Sequence, residues 1–161
     1  MAISLDRHDC RILDVVQDDS RMTHAEIGDR VGLSPSSVRR RLETLRKTGV
    51  IRSEVALIDP DAVGDSMRLV VLVTFERECP ASHDAFRRAM VKCAEVLQCY
   101  SIGGQYDFVL IVKAASPAAY EAWSARVLAP LPDIRRFDAF VVWSTVKFVT
   151  KFPLAQVAGA V

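Results

Sequence analysis

The sequence predicts an α+β chain, with an N-terminal three-helix part followed by a C-terminal part of order βαββαβ. Apolar residues recur at helical spacing up to about Ile51, and from about Met67 they come in short β-branched and aromatic runs separated by helical stretches. Between the two lies Asp59-Pro60-Asp61-Ala62-Val63-Gly64-Asp65, where Pro, Gly and three Asp mark a connection. The boundary falls near residue 60, giving one domain over 1–60, which includes a connecting strand, and a second over 61–161.

The first helix has Asp6 as N-cap, Asp9 in its first turn, and Ile12, Leu13 and Val16 as its buried stripe. The second opens on the capping box Thr23-His24-Ala25-Glu26, turns Ile27 and Val31 inward and stops at Gly32, which adopts a left-handed conformation without a Cβ clash. The third starts from Ser34 with Pro35 at its first position, where a missing N–H costs nothing, runs to about Lys47 and ends at Gly49. The turn Gly32-Leu33-Ser34 is short enough for the corner of a (winged) helix-turn-helix, a corner that small helical bundles also use.

The surface of the third helix separates these readings. At about 100° per residue, Val38, Leu42 and Leu45 share the core face, while Ser36, Arg40, Glu43 and Lys47 lie opposite, flanked by Ser37, Thr44, Arg39 and Arg46. Residues 34–52 hold six basic side chains against one acidic, a local net charge of +5. Small hydroxyl residues at the helix start beside concentrated positive charge suit the major groove of double-stranded DNA. Arg40 is the candidate for a bidentate contact to guanine and Glu43 for accepting from cytosine N4. Ser34, Ser36, Ser37 and Thr44 are candidates for base edges or phosphates, and Arg39, Arg46, Lys47 and Arg52 for phosphates. Arg41, beside the core stripe, has two readings: an ion pair with an acidic residue of the first two helices, or a DNA contact.

The second half reads as strand 67–76, helix 82–96, strand 97–102, strand 106–114, helix 117–128 and strand 134–143. This is the ferredoxin-like split unit, an antiparallel sheet with both helices on one side. Phe86, Met90, Cys93 and Leu97 form the stripe of its first helix, and Tyr120, Trp123 and Val127 that of its second. The runs at 69–75 and 108–112 are apolar on both faces, whereas a two-layer sheet buries only one. Covering the other face at roughly 25 cal/mol per Å², over the ~2,000 Å² or more typical of obligate dimers, is a gross driving force of tens of kcal/mol. The expectation is a homodimer through the sheets, with tetramers or octamers built from it.

The loop Gly103, Gly104, Gln105, Tyr106 and Asp107 joins the second and third strands. On one reading it is a hairpin whose glycines supply positive φ. On the other, its free N–H groups take a ligand carboxylate while Asp107 accepts from an ammonium, a pair complementary to an amino-acid zwitterion.

Composition sets the outer limits. The chain has 161 residues, half of them apolar, with 21 Lys+Arg against 20 Asp+Glu and a formal net charge of +1. That excludes a disordered or collagen-like chain and argues against a generic polyanion coat. No apolar stretch approaches the roughly 20 residues of a membrane helix, so no membrane association is expected. Residues 1–9 lack the pattern of a signal peptide, and Cys10, Cys79, Cys93 and Cys99 are too few and irregular for a disulfide framework, so a cytoplasmic location is expected. His8, His24 and His83 have no metal-ligand spacing, and Cys79, Cys93 and Cys99 read as apolar fillers in preference to nucleophiles. No catalytic residue, metal or cofactor is therefore expected. A small dimeric ferredoxin-like enzyme is the weaker alternative, and an effector-independent, nucleoid-type architectural DNA-binding protein the stronger one.

In its motifs the chain resembles the Lrp/AsnC (feast/famine) bacterial transcription regulators over nearly its whole length. The resemblance lies in Leu5-Asp6 through Asp9, Ile12-Leu13, Asp19-Ser20-Arg21, Val31-Gly32-Leu33-Ser34, Arg41-Leu42 with Leu45, Gly49-Val50-Ile51, Gly104-Gln105-Tyr106-Asp107, Val146-Lys147 and Pro153-Leu154. It implies a helix-turn-helix domain joined by a strand to a ferredoxin-like domain that dimerises, forms octamer-like rings in many members and binds small effectors, typically amino acids, between dimers. It also places the effector site at the loop from Gly104 to Asp107. Two departures stand out: Gly28 replaces the usual Ala, which should weaken the second helix slightly, and Ala139 and its neighbours lack a Thr pattern found in many members.

Overall fold

A computed structural model describes residues 4–60, 62–64, 67–77 and 79–154. The chain divides into two compact units, Met1–Leu57 with Lys147–Val161, and Ile58–Val146. The sequence reading places everything from residue 61 onward in one domain; in the structure residues 147–154 group with the first unit. Asp61 and Asp65 of the expected connection lie outside the described residues.

The first unit contains α1 (Arg7–Asp18), α2 (His24–Val31) and α3 (Pro35–Lys47). Each starts where its capping chemistry predicts. Asp6 and Asp9 form a reciprocal capping box, as do Thr23 and Glu26, and the Ser34 hydroxyl accepts from the Ser37 N–H at 3.3 Å. Gly32, at φ 73°, closes α2 in the left-handed conformation. Ile12, Ile27, Val31, Val38 and Leu42 form the main core, and Cys10, Leu13, Leu45 and Leu154 a second cluster beside it. The expected connecting strand is not formed. Residues 52–59 join no sheet, because a lone extended segment has no ladder partner within the unit, and Val55, Leu57 and Ile58 are exposed.

The second unit has β1 (Met67–Phe75), α4 (Pro80–Lys92), β2 (Val96–Ser101), β3 (Phe108–Ala114), α5 (Pro117–Val127) and β4 (Ile134–Val141). The sheet order β2-β3-β1-β4 is fully antiparallel, the ferredoxin-like arrangement. Leu69, Val71, Val73, Phe75, Phe108, Leu110 and Val112 point to one face, where they bury Phe86 and Met90 of α4 and Trp123 of α5.

Both boundaries of α4 differ from the sequence reading. α4 begins at Pro80, at the helix start where its missing N–H is harmless, and ends at Lys92, because Cys93 is extended at ψ 113°. Val96 therefore opens β2, and Leu97, spaced as a helical core residue, lies at a bulge in β2 and is 52% exposed. Strand pairing with β3 overrides the local helical spacing. At the far end, β4 stops at Val141, so Trp143 is outside the sheet and exposed.

Gly28 has a packing reason. A Cβ there would stand 2.4 Å from the Leu33 carbonyl oxygen, a backbone atom of the turn before α3. The Gly28 carbonyl in turn accepts from the N–H groups of Gly32 at 2.8 Å and Leu33 at 3.0 Å. The helix gives up roughly 1 kcal/mol of propensity relative to Ala and the turn closes tightly against it. Gly28→Ala is expected to lower the melting temperature despite its better helix propensity, by the about 1–3 kcal/mol of an overpacked site. Thermal denaturation checks this, and a raised melting temperature would show that the turn yields freely.

Candidate nucleic-acid interface and effector loop

α3 presents two faces. Val38, Leu42 and Leu45 are buried, and Ser36, Arg39, Arg40, Glu43, Thr44, Arg46 and Lys47 are exposed, with Ser37 half-buried at the edge. Ser34 is exposed at the helix start and Arg52 beyond its end. The helix thus brings together all the sequence-assigned groove residues except Arg52, which follows on the chain.

The hydrogen bonds sort these residues by availability. Arg39 Nε donates to Glu43 Oε1 at 2.9 Å, and that bond holds the Glu43 carboxyl below its usual range. Glu43 is therefore an ionised partner of Arg39, and Arg39 keeps its terminal nitrogens free for a phosphate. Arg46 spends Nε and Nη2 on Glu54 Oε1, at 3.0 and 2.7 Å, fixing the segment after α3. The Ser34 hydroxyl caps the helix and contacts the Ser36 hydroxyl at 3.1 Å, while the Thr44 hydroxyl donates to the Arg40 carbonyl at 3.0 Å. Arg40, Lys47 and Arg52 have no ion-pair partner among the described residues.

Arg41 takes the first of its two readings. Its Nη1 lies 2.7 Å from both Asp6 Oδ2 and Asp9 Oδ1, the two carboxylates of the α1 capping box, and its side chain is 23% exposed. It ties the middle of α3 to the start of α1. Sequence spacing could not select these partners, because residues 6 and 9 lie more than thirty positions upstream.

The 103–107 loop links β2 to β3, with Gly104 at φ 126°. Its first three residues are exposed, Tyr106 and Asp107 are half-buried, and the N–H groups of Gly103, Gly104 and Gln105 have no hydrogen-bond partner among the described residues. Asp107 has a function that the sequence did not signal. Its Oδ2 accepts from the Phe75 N–H at 2.8 Å while its own N–H donates to the Val73 carbonyl at 2.9 Å, anchoring the loop to the end of β1. Both loop readings have a counterpart: a glycine at positive φ and a row of free donors beside a carboxylate.

The cysteines are all free thiols. Cys93 fits the filler reading only in part, since its sulfur accepts from Trp123 Nε1 and donates to Glu95 Oε2, both at 3.0 Å. Cys79 departs from it: it is half-buried at the start of α4, where the neighbouring Ser82 side chain and the N–H groups of Ser82 and Ala81 lower its thiol pKa.

Comparison with known proteins agrees with this architecture. Residues 5–52 match the model of a winged helix-turn-helix DNA-binding domain, and residues 68–152 match the Lrp/AsnC ligand binding domain. An HTH-type transcriptional regulator of Sinorhizobium fredii is 38% identical over 153 residues, covering 95% of this chain and 90% of the relative. The leucine-responsive regulatory protein of Escherichia coli is 32% identical over 143 residues, covering 89% and 87%. Among solved structures, a Neisseria meningitidis transcriptional regulator in complex with L-Met superposes with a TM-score of 0.86 at 29% identity, covering 95% of this chain and 99% of that one. An AsnC family regulator from Agrobacterium tumefaciens gives 0.86 at 30% identity, covering 94% and 99%. These relatives are transcriptional regulators, not enzymes. With both halves matched in order by the two modules of such regulators, the chain belongs to the Lrp/AsnC family of DNA-binding transcriptional regulators.

Proposed function

We propose that the protein is a cytoplasmic, sequence-specific regulator that binds DNA as a homodimer or a higher assembly of dimers, modulated by an amino acid at the 103–107 loop. The observation that carries the DNA reading is the pairing pattern on α3: Arg40 and Lys47 stand free on the face opposite Val38, Leu42 and Leu45. Arg40 reads a base edge, and Lys47 and Arg52 meet phosphates, joined by the free end of Arg39. Ser36, Ser37 and Thr44 line the approach. Ser34, Glu43 and Arg46 act chiefly by holding the helix, Arg39 and the following segment in place.

The effector reading rests on the unpartnered N–H groups of Gly103, Gly104 and Gln105, a nest for a carboxylate, with Asp107 and Tyr106 beside them. The relative solved with L-Met points to the same ligand class. Asp107 is partly committed to Phe75, so the backbone donors contribute most of the binding.

The dimer reading rests on the sheet face turned away from α4 and α5. Val70 and Leu72 of β1, Val109 and Ile111 of β3, Tyr100 of β2 and Phe140 of β4 share that face, and Tyr100 and Phe140 are more than half exposed. A second copy covers such a self-complementary apolar face and sets two recognition helices to read half-sites one or more helical turns of DNA apart.

Three outcomes follow. Arg40→Ala is expected to relax preference at a single base pair, at a cost of about 1–3 kcal/mol there, whereas Lys47→Ala weakens all sequences alike and reduces the salt slope by about one. Binding to a randomised DNA pool at several salt concentrations measures both, and unchanged specificity and affinity in Arg40→Ala would sink the groove assignment. A thermal-shift screen of the twenty amino acids is expected to find a stabilising ligand, worth about 2.7 kcal/mol at 100 times its Kd. Asp107→Asn, which keeps an oxygen for the Phe75 N–H, should reduce that shift and leave basal DNA binding intact; no shift with any amino acid favours the architectural reading. Leu72→Arg should convert the assembly to monomers in sedimentation, and an unaltered sedimentation coefficient would move the interface elsewhere.

A further inference from the structure

α1 ends with the wrong charge. Its last residues, Gln17 and Asp18, are followed by Asp19, and no basic residue occupies the last turn, although the carbonyl end of a helix favours cations. Arg21 pairs with Asp19. The cation at Asp18 comes from far along the chain: Lys151 Nζ lies 2.7 Å from Asp18 Oδ2.

The neighbouring residues continue the attachment. The Phe152 N–H donates to Gln17 Oε1 at 2.6 Å, and Gln17 Nε2 donates back to the Phe152 carbonyl at 3.2 Å, so one side-chain amide holds both polar groups of that residue. Pro153 has no N–H to satisfy. Leu154 then buries itself, 8% exposed, among Cys10 and Leu13 of α1 and Leu45 of α3. Among the described residues, Leu154 is the only buried member of that cluster from outside the three helices. It fills the seam where α1 supports the last turn of α3, one residue before Arg46 and two before Lys47.

We propose that residues 151–154 are a strap that positions the recognition helix: Lys151 and Phe152 secure the end of α1, and Leu154 wedges the α1–α3 seam so that α3 takes the orientation in which Arg40 and Lys47 meet DNA together. Gln17, Asp18, Lys151 and Leu154 are thus positioning residues, none of which touches DNA. Along the chain, residues 142–150 lie between β4 and the strap. The effect on DNA rests on the regulator reading above; the effect on α1 and α3 does not.

The test uses the full chain with Leu154→Asp, Leu154→Met, Gln17→Ala, Lys151→Glu and the exchanged pair Asp18→Lys with Lys151→Glu. Amide hydrogen exchange is measured without DNA, and affinity is measured on a DNA fragment selected from a random pool by the unaltered protein. Leu154→Asp is expected to speed exchange at least tenfold in α1 and the last turn of α3, leave β1 and β3 unchanged, and weaken DNA binding at least fivefold. The salt slope should stay the same, because the substitution lowers the fraction of protein with α3 in the binding orientation and leaves the phosphate contacts of that fraction unchanged. Gln17→Ala should act in the same direction with smaller effect, Leu154→Met should behave as the unaltered chain, and the charge exchange should restore what Lys151→Glu loses. Unaltered exchange in α1 and α3 in both Leu154→Asp and Gln17→Ala overturns the strap. So does loss of protection in Gln17→Ala that extends equally to β1 and β3. If the unaltered protein selects no DNA, the regulator reading falls, while the exchange data still decide the strap.

Discussion

A helix of 13 residues that leaves one charged face open has to be held entirely by its other face. Alone it would be marginal in water, so its direction is set by what packs behind it. Four features of different chemistry converge there: the Val38, Leu42 and Leu45 stripe, the Ser34 cap, the Arg41 bridge to Asp6 and Asp9, and the tight turn that only a glycine at 28 admits. Burial supplies most of the stabilisation. The Arg41 bridge determines the angle, because it is lost if the helix rotates.

The same arrangement changes how the charge on the helix is read. The +5 of residues 34–52 is a property of the linear chain. In space, Asp6 and Asp9 are brought to Arg41, Glu43 holds Arg39 and Glu54 holds Arg46, so half of the six cations have a carboxylate partner. What stays without a carboxylate partner among the described residues is a narrower set, Arg40, Lys47 and Arg52, supported by the unspent part of Arg39. A field carried by a few well-placed cations attracts phosphate while giving weaker non-specific adhesion than a uniformly basic surface would. That fits a protein whose near-zero net charge hides an uneven distribution.

Much of the architecture was legible because it rests on short-range chemistry. N-caps at Asp6, Thr23 and Ser34, the glycine stop at 32 and the apolar runs of β1 and β3 each need only a few neighbouring residues, and each lies where the sequence placed it. The misses share the opposite property. Whether Val96 and Leu97 extend a helix or open a strand depends on the β2–β3 register, and the expected strand at 52–59 has no neighbour to pair with. At the candidate sites, sequence chemistry picked the residue types on α3 and in the loop but not their commitments. The Asp107 bond to Phe75 and the Arg41 bond to Asp9 each join residues 32 positions apart, and nothing local foretells them.

The attachment of Phe152 to Gln17 spans 135 residues, which gives it a meaning in time as well as in space. During synthesis α1, α2 and α3 leave the ribosome early and can collapse on their own main core, but the seam behind α3 stays open until Leu154 has been added. Closing so long a loop is entropically expensive for a free chain and much less so once the intervening residues have folded and shortened it. The three helices therefore complete their packing only after the rest of the described chain has been made.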